Sequence, residues 1–191
     1  MFYEVELRDI VRVPPTELKG DIKKMIEEIL KTSFIGNVGK EYGMIITINE
    51  IKEISEGIVI PEDGGVYYKV TFKAITFVPL INELVYGIIT SIAEFGAFAS
   101  IGPVDALIHI SQIMDDEVSI SGREALQGRN TKKVLKVNDI VKARVVTVSY
   151  KDIVNLKVSL TMKQPGLGKL EWLESKDVKV EKKETKTTKK K

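Results

Sequence analysis

Two phenylalanines separated by Gly-Ala, Phe95 and Phe98, are the residues whose type and spacing most directly suggest chemistry. In a regular strand, residues three apart point to opposite faces of the sheet. Gly96 between them suits a bulge or sharp coil that would bring both rings to one surface. Exposed aromatic rings beside cationic side chains stack on nucleic-acid bases and attract phosphates. The alternative, that one or both rings belong to a hydrophobic core, stays open at this stage.

Cationic side chains with an outward orientation are expected on strands that follow the two rings. In the strand predicted at 140–146, apolar residues alternate with Lys142 and Arg144, which should therefore face outward. The same alternation turns Lys157 outward in the last strand and His109 outward in an earlier one. These side chains would add charge for phosphate groups to an aromatic platform.

Catalytic and metal chemistry have little support in the sequence. There is no cysteine and only one histidine, which excludes disulfides, thiolate zinc sites and multi-histidine metal sites. The run 115–117 contains three consecutive carboxylates, and these cannot converge on a cation without help from elsewhere in the fold. A carboxylate-based two-metal nuclease is the enzymatic alternative. We expect no catalytic residues, no metal, no cofactor and no small-molecule substrate.

Composition and charge favour a soluble, cytoplasmic protein of one large or two small domains. The chain has 191 residues, 43% of them hydrophobic. It has no apolar run long enough to span a membrane and no signal-peptide pattern at its N-terminus. Residues 174–191 contain eight lysines and four acidic residues, a net charge of +4 against +2 for the whole chain, which leaves −2 for residues 1–173. The lysine-rich tail is expected to be disordered.

The elements before residue 80 are predicted to form a small α+β domain. Alternating residues predict a strand up to Val13, and an apolar spacing of three and four predicts a helix over 18–30, with Thr16 as its N-cap. Isoleucine-rich strands are expected at 44–54 and 57–60. The turn 61–65 should return the chain into a strand at 66–77. We place the domain boundary near residue 80.

The order of short apolar strands after residue 87 resembles the S1 class of OB-fold barrels. The residues that support this resemblance are the Phe-Gly-Ala-Phe corner at 95–98, the Gly-Pro-Val-Asp run at 102–105 and the His-Ile-Ser strand at 109–111. The resemblance implies a five-stranded all-β barrel that binds single-stranded RNA. It also implies an RNA-binding set that matches Phe95, Phe98, His109, Asp152 and Lys157 of this sequence. Lys157 stands where the family usually has arginine, which weakens stacking and bidentate phosphate contacts.

Residues 1–173 taken in order resemble the family of archaeal RNA polymerase subunits E′, relatives of the seventh subunit of eukaryotic RNA polymerase II. The N-terminal pattern, the Phe-Val-Pro crossover at 77–79 and the ending Gln-Pro-Gly-Leu-Gly-Lys-Leu-Glu-Trp at 164–172 narrow the S1 resemblance to this family. The resemblance implies a non-catalytic stalk protein that pairs with the F subunit of RNA polymerase, docks on the polymerase core and binds emerging transcript. Help with promoter opening and processivity is implied as well. The alternative is an RNA-binding module of an exosome or translation complex.

The resemblance implies three segments. They are a truncated ribonucleoprotein-like domain at 1–79 that docks on the core, an S1 domain at 80–173 and the tail 174–191. The F subunit is expected to cover part of the strand 66–77. Loops rich in glycine are the expected contacts with the core, and they comprise Gly36, Asn37, Val38, Gly39, Lys40, Pro61, Glu62, Asp63 and Gly64. Simple turn chemistry is the alternative explanation of these glycines.

Overall fold

The computed structural model describes residues 1–17, 20–120 and 125–173. The lysine-rich tail lies outside the described residues. The described residues divide into two compact units, the first formed by Met1–Val78 with Tyr150–Leu156, and the second by Pro79–Ser149 with the described residues that follow Leu156. Among the described residues there is no helix with the length and apolar character needed to cross a membrane.

The first unit consists of one helix and an antiparallel five-stranded sheet. Its elements are β1 (Phe2–Val13), α1 (Ile22–Phe34), β2 (Val38–Gly39), β3 (Gly43–Ile54), β4 (Ile58–Val59) and β5 (Val66–Phe77). The strand order is β1-β5-β3-β2, with β4 paired to β5. β5 is therefore central, and it pairs with β1 along its whole length, from Val13 opposite Val66 to Phe2 opposite Phe77.

The core of the first unit lies between α1 and one face of the sheet. Ile26 and Leu30 of the helix are fully buried, and the ring of Phe72 on β5 is buried with them. The alternation of β1 sends its other face to solvent, where Glu4 and Lys73 form an ion pair of 3.0 Å. One buried face and one charged face are what period-2 alternation predicts for a sheet covered on one side.

The helix begins later than the sequence predicted. Thr16 was expected as its N-cap, but Asp21 occupies that position and accepts a hydrogen bond of 3.0 Å from the Lys23 backbone N–H. Residues 15–17 form a separate 3₁₀ turn. Both residues are good N-caps, so residue type alone did not distinguish them. Leu18, the first apolar residue of the predicted helix, lies outside the described residues.

The second unit contains the five-stranded barrel expected from the sequence. Its elements are β6 (Leu84–Ala93), β7 (Gly96–Ser100), β8 (Asp105–His109), β9 (Val118–Ile120), β10 (Ala125–Gly128), β11 (Val134–Lys136), β12 (Ile140–Ser149), β13 (Lys157–Thr161) and β14 (Gly168–Lys169). The order β13-β8-β7-β6-β12 closes on itself, because β12 also pairs with β13. β14 adds to β12 outside this ring.

Small and branched side chains fill the barrel. The fully buried residues include Ile89, Ala97, Ala99, Ala106, Ile108, Val141, Ala143 and Val145. Alanines allow five short strands to close tightly around isoleucine and valine, because the lumen of a small barrel is filled by side chains. The alternate residues, including Lys142 and Arg144, therefore lie on the outer face.

The stretch between β8 and β12 forms a separate three-stranded sheet, ordered β11-β10-β9. Asp116 closes its turn by accepting hydrogen bonds from the backbone N–H groups of Asn130 at 2.9 Å and Thr131 at 2.7 Å. These bonds, those from Thr131 first, hold the pKa of Asp116 well below its usual range. Asp115 pairs instead with Lys163 and Glu117 with Arg129. The three carboxylates diverge, and no cluster of three or more potential metal ligands is found among the described residues.

The division at residue 80 differs from the structure at Tyr150–Leu156. This segment joins β12 to β13 in sequence but groups with residues 1–78. The Val38 backbone N–H donates a hydrogen bond of 2.6 Å to the Ile153 carbonyl oxygen. Strand alternation contains no information about where a connecting loop packs, so a boundary drawn at one chain position missed it.

Candidate nucleic-acid interface

The rings of Phe95 and Phe98 lie against each other on the outside of the barrel. Their centroids are 5.9 Å apart and the planes are nearly perpendicular, at 89°. Phe95 is 50% exposed and Phe98 is half-buried. Gly96, with a φ of +155°, makes this possible, because a Cβ there would collide with the Ile108 carbonyl oxygen of β8. We call these two rings, together with His109, the ring platform.

His109 completes the platform from the neighbouring strand. It pairs with Gly96 in the β7–β8 register, and its exposed side chain lies on the same outer face of the sheet as Phe98. The Ile110 backbone N–H donates to the Phe95 carbonyl oxygen at 2.9 Å, tying the corner to β8. The Ser111 backbone N–H donates to His109 Nδ1, with the Ser111 hydroxyl 2.9 Å from the same nitrogen.

Lys157 lies on the same outer surface of the barrel, on β13, which is the strand next to β8. Phe98 pairs with Leu107, and Leu107 pairs with Ser159 of β13. Lys157 is two residues before Ser159, about 7 Å along the strand, at the level of Asp105. Lys157 therefore shares the outer face of Phe98, but it lies two strands away from Phe98 and at the level of Asp105, away from the Phe95 corner. Its contact with RNA stays a prediction.

Lys142 and Arg144 are not beside the platform. On β6 the partner of Phe98 is Ser91, whereas Lys142 pairs with Tyr86, five residues earlier. That separation is about 17 Å along the strand. Arg144 is half-buried, and its Nε has no hydrogen-bond partner among the described residues. The two cations thus belong to another part of the barrel surface.

Tyr86 is an aromatic residue that the sequence analysis did not select. Its ring is 63% exposed, and Lys142 Nζ lies 5.9 Å from the ring centroid. Its neighbours on the same face, Ile88 and Ile140, are about half exposed. The alternation of Tyr86 and Ile88 with the buried Gly87 and Ile89 was the signal in the sequence that could have identified this second aromatic-cationic patch.

Asp152 is placed with the first unit. It lies in the segment 150–156, where its carboxylate accepts hydrogen bonds from the Val154 backbone N–H at 3.1 Å and the Asn155 amide at 3.0 Å. These bonds hold the turn of its own loop. Its assignment to RNA binding stays a prediction.

The two loops expected to contact the polymerase core lie at opposite ends of the first sheet. Val38, in the loop Gly36–Lys40, pairs with Met44, which lies opposite Phe77 at the end of β5. The turn 61–64 precedes Val66 at the start of β5. Eleven residue steps separate these ends, about 36 Å along the strand. A single tip formed by both loops is therefore not present.

The turn 61–64 is fixed by a charged cluster. The Arg12 guanidinium donates two hydrogen bonds to the Asp63 carboxylate, at 2.7 and 3.0 Å, and the Tyr67 hydroxyl donates to the same group. Arg12, and then Tyr67, hold the pKa of Asp63 down at about 2. Beside this turn, three apolar residues are strongly exposed, namely Ile58, Val59 and Ile60. A rigid turn beside exposed apolar side chains is typical of a contact surface.

Comparisons with known proteins match both units. Residues 8–64 match the family described as "SHS2 domain found in N terminus of Rpb7p/Rpc25p/MJ0397", and residues 78–159 match "S1 RNA binding domain". The DNA-directed RNA polymerase subunit Rpo7 of Saccharolobus solfataricus is 37% identical over 175 residues, 91% of this chain and 97% of that protein. The RNA polymerase III subunit RPC8 of Saccharomyces cerevisiae is 32% identical over 114 residues, 60% of this chain and 54% of that protein. The RNA polymerase II subunit rpb7 of Dictyostelium discoideum is 28% identical over 118 residues, 62% and 69% of the two chains.

Proposed function

The chain belongs to the family of DNA-directed RNA polymerase subunits that includes the archaeal Rpo7 proteins, and from this membership we propose that it is a non-catalytic stalk subunit of such a polymerase. In this role its barrel binds emerging single-stranded RNA, and the protein assists promoter opening and processivity. Its first unit is of truncated ribonucleoprotein type. A cytoplasmic location goes with this role.

The observation that supports RNA binding most directly is the ring platform. Phe95 and Phe98 expose aromatic surface at the barrel corner around Gly96, and His109 is the strand partner of that glycine on β8. Stacking on rings of this kind tolerates any base, since every base has a π-face. Sequence-tolerant contact suits a protein that meets transcripts of every sequence.

Contact with the polymerase core is assigned to the turn 61–64. Its exposed neighbours, Ile58, Val59 and Ile60, supply apolar area that the first unit does not cover itself. The loop 36–40 packs with residues 150–156 instead, so its role at the core has less support.

The F subunit of the polymerase is proposed as the partner of the first unit. Because β5 already pairs on both sides, this partner would cover a face of that sheet and would not add a strand at β5.

Affinity purification of the full chain from its own cells tests the assembly. We expect the large catalytic subunits of RNA polymerase and one small additional protein in stoichiometric amounts. The variant Ile58→Asp should reduce recovery of the large subunits, because it puts a charge into the proposed contact, whereas Ile140→Asp on the barrel should not. Recovery of exosome or ribosomal proteins in place of polymerase would overturn the assignment.

RNA binding is tested by fluorescence anisotropy with a labelled oligouridylate. Phe95→Ala should weaken binding by about 1–3 kcal/mol, the range for one stacked base, which is about 5- to 140-fold in Kd. Phe2→Ala removes a phenylalanine of the first unit that is 59% exposed, against 50% for Phe95, and should leave the Kd unchanged. Equal Kd values for Phe95→Ala, Phe98→Ala and the wild type would show that the two rings do not contribute to RNA binding.

A further inference from the structure

A pocket opens on the barrel unit, lined by residues that follow β8 and β13 in the chain. It has a volume of about 230 Å³, and its lining includes Met114, Asp115, Lys133, Met162, Lys163 and Trp172. Pockets for drug-sized ligands span about 300–1,000 Å³. The smaller volume here suits one planar group, such as a nucleobase.

Trp172 provides an aromatic wall of this pocket. It is the only tryptophan of the chain, and it is half-buried. Lys133 Nζ lies 5.2 Å from the centroid of its ring. No carboxylate among the described residues forms an ion pair with Lys133. Within the described part of the chain, the contact that holds its ammonium group at the pocket is the one with the ring, which leaves the charge available to an anion.

The rest of the lining combines an apolar floor with a second cation. Met114 and Met162 are almost fully buried, at 5% and 2% exposure. Lys163 Nζ lies 3.2 Å from Asp115, whose side chain is 86% exposed and so only weakly bound. Two lysines and one carboxylate leave the pocket with a positive charge. An aromatic ring, an apolar floor and cations together are the groups that bind one nucleotide of a single strand.

The pocket is connected to the ring platform by a short stretch of chain. His109 of the platform is followed by a 3₁₀ turn over 110–112 and then by Met114 in the pocket wall. The Met162 backbone N–H donates to the Gln112 carbonyl oxygen at 2.8 Å, which fixes the turn to the end of β13. Five residues span at most about 17 Å, so a single RNA strand reaches both places.

We propose that this pocket binds one nucleotide of the single-stranded RNA that contacts the ring platform, with the base against Trp172 and the phosphate at Lys133 and Lys163. The proposal rests on the RNA-binding function proposed above and extends it to a second, separate contact. It places the RNA on a path across the barrel that runs from the Phe95–Phe98 corner past His109 to the C-terminal end of β13.

Fluorescence of the full chain tests the proposal directly, because Trp172 is its sole tryptophan. Titration with a short oligouridylate should quench the emission, and the midpoint should agree with the Kd from anisotropy of labelled RNA. Lys133→Ala should raise that midpoint and make the slope of log K against log salt less negative by about 0.7, the change for one lost phosphate contact. Lys136→Ala, an exposed lysine nearby that does not line the pocket, should change neither value.

Variants of the tryptophan complete the test. Trp172→Ala should weaken RNA binding about 5- to 140-fold by anisotropy, and Trp172→Phe, which keeps a ring, should restore most of the affinity. If Trp172→Ala does not fold, the proposal is still tested by the quenching of the wild-type emission and by the midpoint of the RNA titration of Lys133→Ala. If RNA binds by anisotropy without quenching the Trp172 emission, the proposal that the pocket binds RNA is wrong, whereas the proposed role of the ring platform is unaffected. The absence of RNA binding by anisotropy would overturn the proposed function itself. Equal midpoints for uridine monophosphate and the oligouridylate would overturn the assignment to a strand.

Discussion

Gly96→Ala is the substitution that links the backbone of the barrel most directly to RNA binding. The added Cβ would collide with the Ile108 carbonyl oxygen and lie 3.0 Å from the Cα of His109. These are backbone atoms, so no side-chain rotation can relieve the contact. The φ of +155° is also one that alanine rarely adopts. A sparsely populated backbone conformation costs about 1–3 kcal/mol, before any movement of β7 from β8.

For a chain of this size, about 1 kcal/mol lowers the melting temperature by about 2–4 °C. We therefore expect Gly96→Ala to lower the Tm by about 2–12 °C from the backbone conformation alone, and by more if β7 moves away from β8. Thermal unfolding followed by circular dichroism measures this change. RNA affinity measured well below the Tm should fall as well, because the shift moves Phe95 and Phe98 relative to His109. Gly20→Ala is the control, since a Cβ at residue 20 meets nothing within 4 Å. A Tm and a Kd both equal to those of the wild type would refute the argument that Gly96 positions the rings.

Three further predictions follow from charged groups. Lys157→Ala should make the salt dependence of RNA binding shallower by about 0.7 in log K against log salt, and an unaltered slope would exclude a phosphate contact. Asp116→Asn should accelerate hydrogen exchange of the Thr131 amide, because the charged acceptor of that N–H is lost; unchanged exchange would show that the turn holds without it. Arg12 lowers the pKa of Asp63 to about 2, below the unfolded value of about 3.9. The stability that this carboxylate adds is full above about pH 4 and lost as the pH falls through about 2. The Tm difference between wild type and Asp63→Asn should shrink over that range, and a constant difference would contradict the ion pair.

The sequence predicted most of what depends on alternation. The outward orientation of Lys142 in β12 and of His109 in β8 follows from period-2 patterning and is present in the structure. The five-stranded barrel followed from strand order together with the S1 resemblance. These features are local, or repeat along one strand, so the residues themselves encode them.

Features that depend on pairing between strands were not accessible in the same way. Lys142 and Phe98 both face outward, but the register of β6 offsets them by about 17 Å along the strand direction. Asp152 lies in a loop whose neighbours come from residues 1–78. The separation of the loops 36–40 and 61–64 likewise depends on which end of β5 each one meets. Register and loop packing are set by many distant residues at once, and no short motif reports them.

The distribution of charge determines what kind of RNA binding this barrel can support. Residues 1–173 have a net charge of −2, so the folded part of the chain is not a general attractor of phosphate. Lys163, one of the two lysines at the Trp172 pocket, also has an acidic neighbour in Asp115. Phosphate must compete with that carboxylate, so we expect stacking to supply the larger part of the binding free energy. A strand held mainly by stacking releases few counterions and is bound whatever its sequence.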